Sequence, residues 1–174
     1  MKSALRLSAL VLALAACSSK PPDPQLQFAT VGFVLQLPAG MQQALDAVAP
    51  GFKSVRTDSF RSDVSQAAAL SGGGLQAMFA TIGDFDGDGT QDVAVEGAVP
   101  GDSALHVIAI MNGKKPWAVE VARYPVYDAD AVGVYVSKPT AGHPGSFEVV
   151  NYPDSSMVYA YKSGGFVGTA FQSH

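Results

Sequence analysis

Four aspartates recur at close intervals in one short segment of this 174-residue chain. Carboxylates crowded in this way repel one another unless a cation lies among them, and hard oxygen ligands of this kind are those that calcium selects. In a calcium-binding loop, positions 1, 3 and 5 offer side-chain oxygens, position 7 offers a backbone carbonyl and position 9 completes the shell. Those positions are held here by Asp84, Asp86, Asp88, Thr90 and Asp92. The loop is therefore predicted to bind Ca²⁺.

The residues around the loop exclude an EF-hand. An EF-hand needs a bidentate glutamate at position 12 and a helix on each side, whereas position 12 here is Val95. The flanking residues have the apolar and alternating patterns of strands, at 75–82 and 91–97. Gly89 stands at position 6, where the sharp turn favours a residue without Cβ. The pattern predicts a metal loop that connects two strands.

The string from Ile82 to Val93, Ile-Gly-Asp-Phe-Asp-Gly-Asp-Gly-Thr-Gln-Asp-Val, resembles the FG-GAP or VCBS-type repeat. In that family an Asp-x-Asp-x-Asp-Gly-x-x-Asp loop binds calcium between two β-strands. Several copies usually stand side by side as the blades of a propeller, but this chain has one clear copy. The resemblance therefore implies a calcium loop and does not imply a propeller or an adhesion role.

The first 17 residues have the features of a targeting signal. Lys2 and Arg6 precede an apolar run, 7–16, that is too short to span a bilayer. The end of the run, Leu-Ala-Ala-Cys17, resembles the lipobox of bacterial lipoproteins. The resemblance implies cleavage before Cys17 and attachment of diacylglycerol and an N-acyl chain to that residue, which together anchor a protein stably. The alternative is a secretory signal that happens to contain a cysteine.

Other features of the N-terminus bear on location and chemistry. Ser18 follows the cysteine, which by resemblance to Gram-negative sorting signals implies the outer membrane, with the domain facing the periplasm or the cell surface. Cys17 is the only cysteine, so the chain has no disulfide and, once lipidated, no thiol nucleophile. Residues 18–25, with three prolines, are predicted to form a semi-rigid tether. Residues 26–174 are predicted to form one globular domain.

The charge of the mature chain limits its partners. Without Lys2 and Arg6, nine basic and fifteen acidic side chains remain, for a net charge of −6. No basic cluster is present in the sequence. The composition therefore argues against nucleic acid as a partner and against electrostatic docking on anionic lipid.

Periodicity predicts an α+β fold. An opening strand is predicted at 27–37, and short helices are predicted from Pro38 to a stop at Pro50, with Val48 on the apolar face, and from a cap at Ser62 or Asp63 to Leu70. The remaining chain has the pattern of a β-meander. It includes a type I′ hairpin at Asn112-Gly113 and a closing hairpin of 157–161 with 166–171. We expect seven or eight strands in an antiparallel or small barrel-like sheet, with the helices on one side.

Enzymatic chemistry is not indicated. His106 lies in an apolar strand pattern, and the remaining candidates are dispersed without a catalytic motif: His143, His174, Asp128 and Asp130. Six tyrosines in the C-terminal half suit half-buried strands, although Tyr is also favoured in contact surfaces. The sequence thus predicts a calcium-binding, lipid-anchored envelope protein that binds a protein or envelope component without catalysis. The alternatives are an inhibitor or immunity lipoprotein acting against a cell-wall hydrolase, and an envelope hydrolase.

Overall fold

The computed structural model describes residues 20–29, 32–70, 78–125, 131–138 and 145–171. Within these ranges the chain forms eleven strands, two α-helices and a short 3₁₀ turn, so the predicted count of seven or eight strands is too low. The elements are β1 Gln25–Ala29, β2 Gly32–Gln36, α1 Ala39–Val48, β3 Lys53–Ser54, the 3₁₀ turn Thr57–Ser59, α2 Ser62–Leu70, β4 Ala80–Gly83, β5 Asp92–Ala98, β6 Ala104–Met111, β7 Trp117–Pro125, β8 Val134–Ser137, β9 Ser146–Asn151, β10 Ser155–Lys162 and β11 Gly165–Phe171.

Both helices form where the sequence predicts them. Pro38 is the N-terminal flanking residue of α1, where its carbonyl accepts the first helical hydrogen bond from Gln42 N at 2.9 Å. Met41 and Leu45 are buried on one face of α1. Val48 was expected on that face but is 44% exposed, because the helix ends there and Ala49 enters the core instead. Neither helix in the described ranges is long and apolar enough to cross a membrane.

The predicted single strand at 27–37 is wrong. The structure has an antiparallel hairpin in this segment, in which β1 pairs with β2 and Phe28 lies opposite Phe33. Gly32, the first residue of β2, has φ 101°, a conformation that a residue without Cβ adopts at low cost, and residues 30–31 between the strands lie outside the described ranges. The sequence shows one apolar run because both arms of the hairpin are apolar.

The larger sheet carries the acidic loop. Its order is β3-β5-β6-β7, and β4 also pairs with β5. Strands β3 and β4 therefore share β5, with β4 opposite its first half and β3 opposite its end. Every residue of β6 is buried, as expected for a central strand with both faces covered.

The second sheet is an antiparallel meander in the order β11-β10-β9-β8. The predicted closing hairpin is confirmed, with Lys162 opposite Gly165 and a two-residue turn at Ser163 (φ 51°) and Gly164 (φ 90°). This positive φ at both positions is the type I′ geometry. The same geometry was predicted at Asn112-Gly113, but wrongly: β6 and β7 are joined by five residues, 112–116, and neither Asn112 nor Gly113 has positive φ.

One hydrophobic core joins these parts. It contains buried residues from both helices and both larger sheets, including Leu45, Val64, Ile108 and Phe147. A backbone hydrogen bond of 2.8 Å from Val136 N to Met78 O connects β8 to the segment that leads into β4. The α+β class is thus observed with antiparallel pairing throughout the named strands. Within the described ranges neither of the two larger sheets closes on itself, so the barrel-like alternative is not seen.

Candidate metal centre

The acidic segment connects two paired strands, as predicted. Ile82 lies opposite Val93 and Gly83 lies opposite Asp92, so residues 84–91 form the loop of a β-hairpin. The predicted strand 75–82 begins only at Ala80, and its residues 75–77 lie outside the described ranges. The hairpin brings both ends of the loop to one end of the larger sheet.

Three of the predicted ligands come together. One carboxylate oxygen from each of Asp84, Asp86 and Asp88 lies within 4.8 Å of the other two. The loop is folded around Asp84, whose Oδ1 accepts a hydrogen bond from Gly87 N at 2.8 Å and whose Oδ2 accepts one from Gly89 N at 3.0 Å. Carboxylates at this separation can share one cation. The oxygen donor set suits a hard divalent ion.

Asp92, which follows the loop directly, holds the loop in place through hydrogen bonds. It is fully buried, and its two oxygens accept backbone hydrogen bonds from Phe85 N and Asn112 N, both at 2.8 Å. Burial raises the pKa of the Asp92 carboxyl to about 6, and the nearby charges of Asp86 and Asp88 add to this shift. Asp92 thereby ties the start of the loop to the end of β6. It is not in the group formed by the other three aspartates, so its role as a metal ligand stays a prediction.

Thr90 closes the other side of the loop. Its hydroxyl Oγ1 lies 2.6 Å from both Asp88 Oδ1 and Asn112 O, and its single proton can be donated to only one of them at a time. The backbone N of Thr90 also donates to Asp88 Oδ1 at 2.7 Å. These hydrogen bonds, with that of the Thr90 side chain first, lower the pKa of the Asp88 carboxyl. The predicted role of the Thr90 carbonyl as a ligand stays a prediction.

Two residues that sequence reasoning missed hold the loop in place. Phe85 is buried between the aspartates and packs on Phe147 at 5.1 Å and on Phe166 at 6.3 Å between ring centroids. Asn112 is buried at the end of β6 and bonds to Asp92 through its backbone N. An apolar residue between two aspartates is a sequence signal that could have identified Phe85. Asn112 is 20 residues from Asp92 and offered no such signal.

The N-terminal stem, residues 20–24, lies against the same end of the sheet. Asn112 Nδ2 donates to Pro22 O at 3.1 Å, and Pro24 is buried. The positive charge of Lys20 contributes to the low pKa of Asp88, and its Nζ donates to Asp23 Oδ2 at 3.4 Å. This part of the predicted tether 18–25 is therefore docked on the domain. Ser18, Ser19 and the predicted lipidation site Cys17 lie outside the described residues.

His106 is the one described residue among the histidine candidates. It is 5% exposed, its Nδ1 lies 2.5 Å from Glu120 Oε2, and its Nε2 lies 3.2 Å from Asp102 Oδ2 without hydrogen-bond geometry. Arg123 also pairs with Asp102. Both ring nitrogens of His106 thus face carboxylates. His143, His174, Asp128 and Asp130 lie outside the described residues.

The tyrosines divide between core and surface. Tyr135 and Tyr159 are buried, Tyr124, Tyr152 and Tyr161 are half-buried, and Tyr127 lies outside the described residues. Most of these side chains therefore contribute to packing, as expected for half-buried strands.

The chain has no match among known proteins in any of three comparisons. No family model, no curated protein and no solved structure matches it.

Proposed function

We propose that this protein is a calcium-binding, lipid-anchored component of the bacterial cell envelope that binds a protein or envelope partner without catalysis. The observation that carries the proposal is the approach of the Asp84, Asp86 and Asp88 oxygens to within 4.8 Å of one another. The lipobox-like sequence at Cys17 supports the location, and the Asp-x-Asp-x-Asp-Gly pattern supports calcium as the ion.

The loop has a physical reason to use an ion for stability. Three carboxylates converge on a turn whose only buried apolar side chain is Phe85, so charge repulsion opposes the fold of the loop. A bound divalent cation removes that repulsion and stabilises the native state by mass action. We therefore propose a structural role for the ion, which holds β4, β5 and the end of β6 in one arrangement.

The surroundings of His106 support a role without catalysis. A general base must present a free ring nitrogen to a substrate, and both nitrogens of His106 face Asp102 and Glu120. The imidazole is also buried. We propose that these residues form a structural polar cluster on the larger sheet.

Thermal unfolding with and without calcium tests the metal site. We expect calcium to raise the Tm of the wild-type protein and to have no such effect on Asp84→Ala, because this substitution removes a ligand and two backbone hydrogen-bond acceptors. Asp154→Ala removes an exposed carboxylate outside the loop and is the matched control. Its Tm should rise with calcium as in wild type. Equal melting curves of wild type in calcium and in chelator would refute the proposal.

A further inference from the structure

Several segments of the chain lie together at one end of the fold and carry exposed side chains. This loop end comprises the stem 20–24, the acidic loop with the first residue of β5, 84–92, the β6–β7 connection 112–116 and the β10–β11 turn with the last residue of β10, 162–164. Three observations place these segments together. Pro22 bonds to Asn112, Gly113 lies against Asp88, and the rings of Trp117 and Tyr161 are 6.3 Å apart.

Four lysines from three separate parts of the sequence lie in the segments of the loop end. They are Lys20, Lys114, Lys115 and Lys162, and all are exposed. Among the described residues, Lys114, Lys115 and Lys162 form no ion pair, as is also true of Lys53 and Lys138 outside the loop end, whereas the three described arginines pair with aspartates. Long lysine side chains that are free of partners can extend toward an anionic surface.

Aromatic residues are close in sequence to three of these lysines. Trp117 follows Lys115 and Pro116, is half-buried, and contacts Tyr161, which in turn packs on Phe166 at 5.7 Å. Tryptophan and tyrosine with lysine are the residues that favour the boundary between lipid and water, where an amphipathic ring has both apolar and polar surroundings.

The length of the stem limits where a membrane can lie. Lys20 is three residues from Cys17, and three residues reach at most about 10 Å. Because Pro22 and Pro24 are held on the domain, acyl chains on Cys17 would keep the loop end close to the lipid headgroups. A freely swinging domain would need a longer undocked tether.

The loop end and the rest of the mature chain differ in net charge. The loop end carries four lysines and five aspartates, namely Asp23, Asp84, Asp86, Asp88 and Asp92, for a net charge of −1, so the remainder of the mature chain carries −5. A divalent ion in the acidic loop would bring the loop end to +1. Most of the net negative charge of the mature chain therefore lies outside the loop end.

We propose that the loop end is a membrane-contact face that lies on the headgroups of an anionic phospholipid bilayer, with Trp117 at the interface and Lys114, Lys115 and Lys162 near lipid phosphates. This inference rests on the proposed anchoring at Cys17. It adds an orientation to that anchoring: the acidic loop faces the lipid, and the opposite end, with turns 99–103 and 152–154, faces away.

The sole tryptophan and the sole cysteine allow a direct test. The mature chain, starting at Cys17, is coupled through this thiol to a maleimide phospholipid in vesicles of phosphatidylcholine and phosphatidylglycerol with brominated acyl chains, in calcium. Bromine quenches tryptophan at short range. We expect the Trp117 emission to lose intensity relative to vesicles without bromine, and its maximum to lie at shorter wavelength than in the protein free in solution.

A matched reporter is placed at the opposite end. The double variant Trp117→Phe, Asp154→Trp carries its only tryptophan in the exposed β9–β10 turn, and its emission should not be quenched. Lys114→Gln with Lys115→Gln should reduce the quenching of Trp117. Equal quenching of both reporters, or none at Trp117 in coupled protein, would overturn the proposed orientation. Chemical coupling makes this result independent of whether cells lipidate Cys17, and the melting experiment tests the metal site separately.

Discussion

At the scale of single residues, the two buried acids of β5 have different surroundings. Asp92 is satisfied by the backbone N of Phe85 and of Asn112. Glu96 is fully buried, and neither of its carboxylate oxygens has a hydrogen-bond partner among the described residues. Burial raises the pKa of Glu96 well above the ordinary value of 4.5. The side chain is thus held in its neutral form, since an ionised carboxylate without partners is strongly disfavoured in an apolar environment.

The protonation of Glu96 makes stability depend on pH. The folded state holds this proton more tightly than the unfolded chain, so the free energy of unfolding should fall as pH rises from about 4.5 toward the higher pKa of the folded state. The groups that face Glu96 include Tyr124 on β7, whose pKa burial raises to about 12 with contributions from Tyr159 and Glu96. These tyrosines remain neutral in that pH range.

When the pH rises from about 5 to about 8, we expect the free energy of unfolding to fall less for Glu96→Gln than for wild type, as measured by chemical denaturation. Glu96→Met, which also removes the polar atoms, should be more stable than wild type near neutral pH by about 1 to 3 kcal/mol. Glu148→Gln, on β9 and only half-buried, is the control. A pH dependence that is the same in wild type and Glu96→Gln would contradict this account.

At the scale of elements, β5 organises the larger sheet. One of its edges pairs with β6, and the other pairs first with β4 and then with β3. Gly97 permits this second junction, because a Cβ at that position would lie 2.2 Å from Lys53 O and 2.5 Å from the Phe52 ring. The backbone of β3 therefore approaches β5 more closely than any side chain would allow.

Substitution of this glycine should separate β3 from β5. We expect Gly97→Ala to lower the free energy of unfolding by about 1 to 3 kcal/mol, since the carbonyl of Lys53 belongs to rigid backbone and must move. Gly165→Ala is a matched control on β11, because a Cβ there meets nothing within 4 Å. The two variants can be compared by urea denaturation. Similar losses of unfolding free energy in the two variants would show that the close approach at Gly97 does not affect stability.

At the scale of the whole molecule, the fold brings residues that are distant in the sequence to one end of the domain. Lys20, Lys114 and Lys162 span most of the sequence but lie at one end of the domain, next to the stem that leads to Cys17. The sequence contains no basic cluster, and on that ground electrostatic docking on lipid was not expected. The folded chain brings the segments that carry these lysines to one end of the domain, and the proposed membrane-contact face rests on this arrangement.

Anchoring itself is tested on the full-length chain in Gram-negative cells. We expect the wild-type protein in the membrane fraction and Cys17→Ser in the soluble periplasmic fraction, because without the thiol the proposed acyl chains cannot be attached. Ser19→Ala, two residues away, is the control and should remain with the membranes. Retention of Cys17→Ser in the membrane fraction after a salt wash would contradict lipidation at this residue.

Local patterns in the sequence predicted several parts of this fold correctly. Helix 62–70 and the closing hairpin depend on caps, periodicity and turn residues within a few positions, and the convergence of Asp84, Asp86 and Asp88 depends on their spacing in one loop. The N-terminal hairpin and the Asn112 connection were mispredicted, because apolar runs and a single Asn-Gly pair do not determine where strands reverse.

The tertiary structure alone decided the features that depend on distant residues. In the folded chain, Asp92 accepts hydrogen bonds from Phe85 and Asn112, and Pro22 accepts one from a residue 90 positions away. Glu96 is buried without a hydrogen-bond partner among the described residues. Spacing along the chain determines which residues share a loop, and so it revealed the acidic site. Packing of strands from all parts of the chain determines which groups lose water and which lie together, and the proposed membrane-contact face depends on that packing.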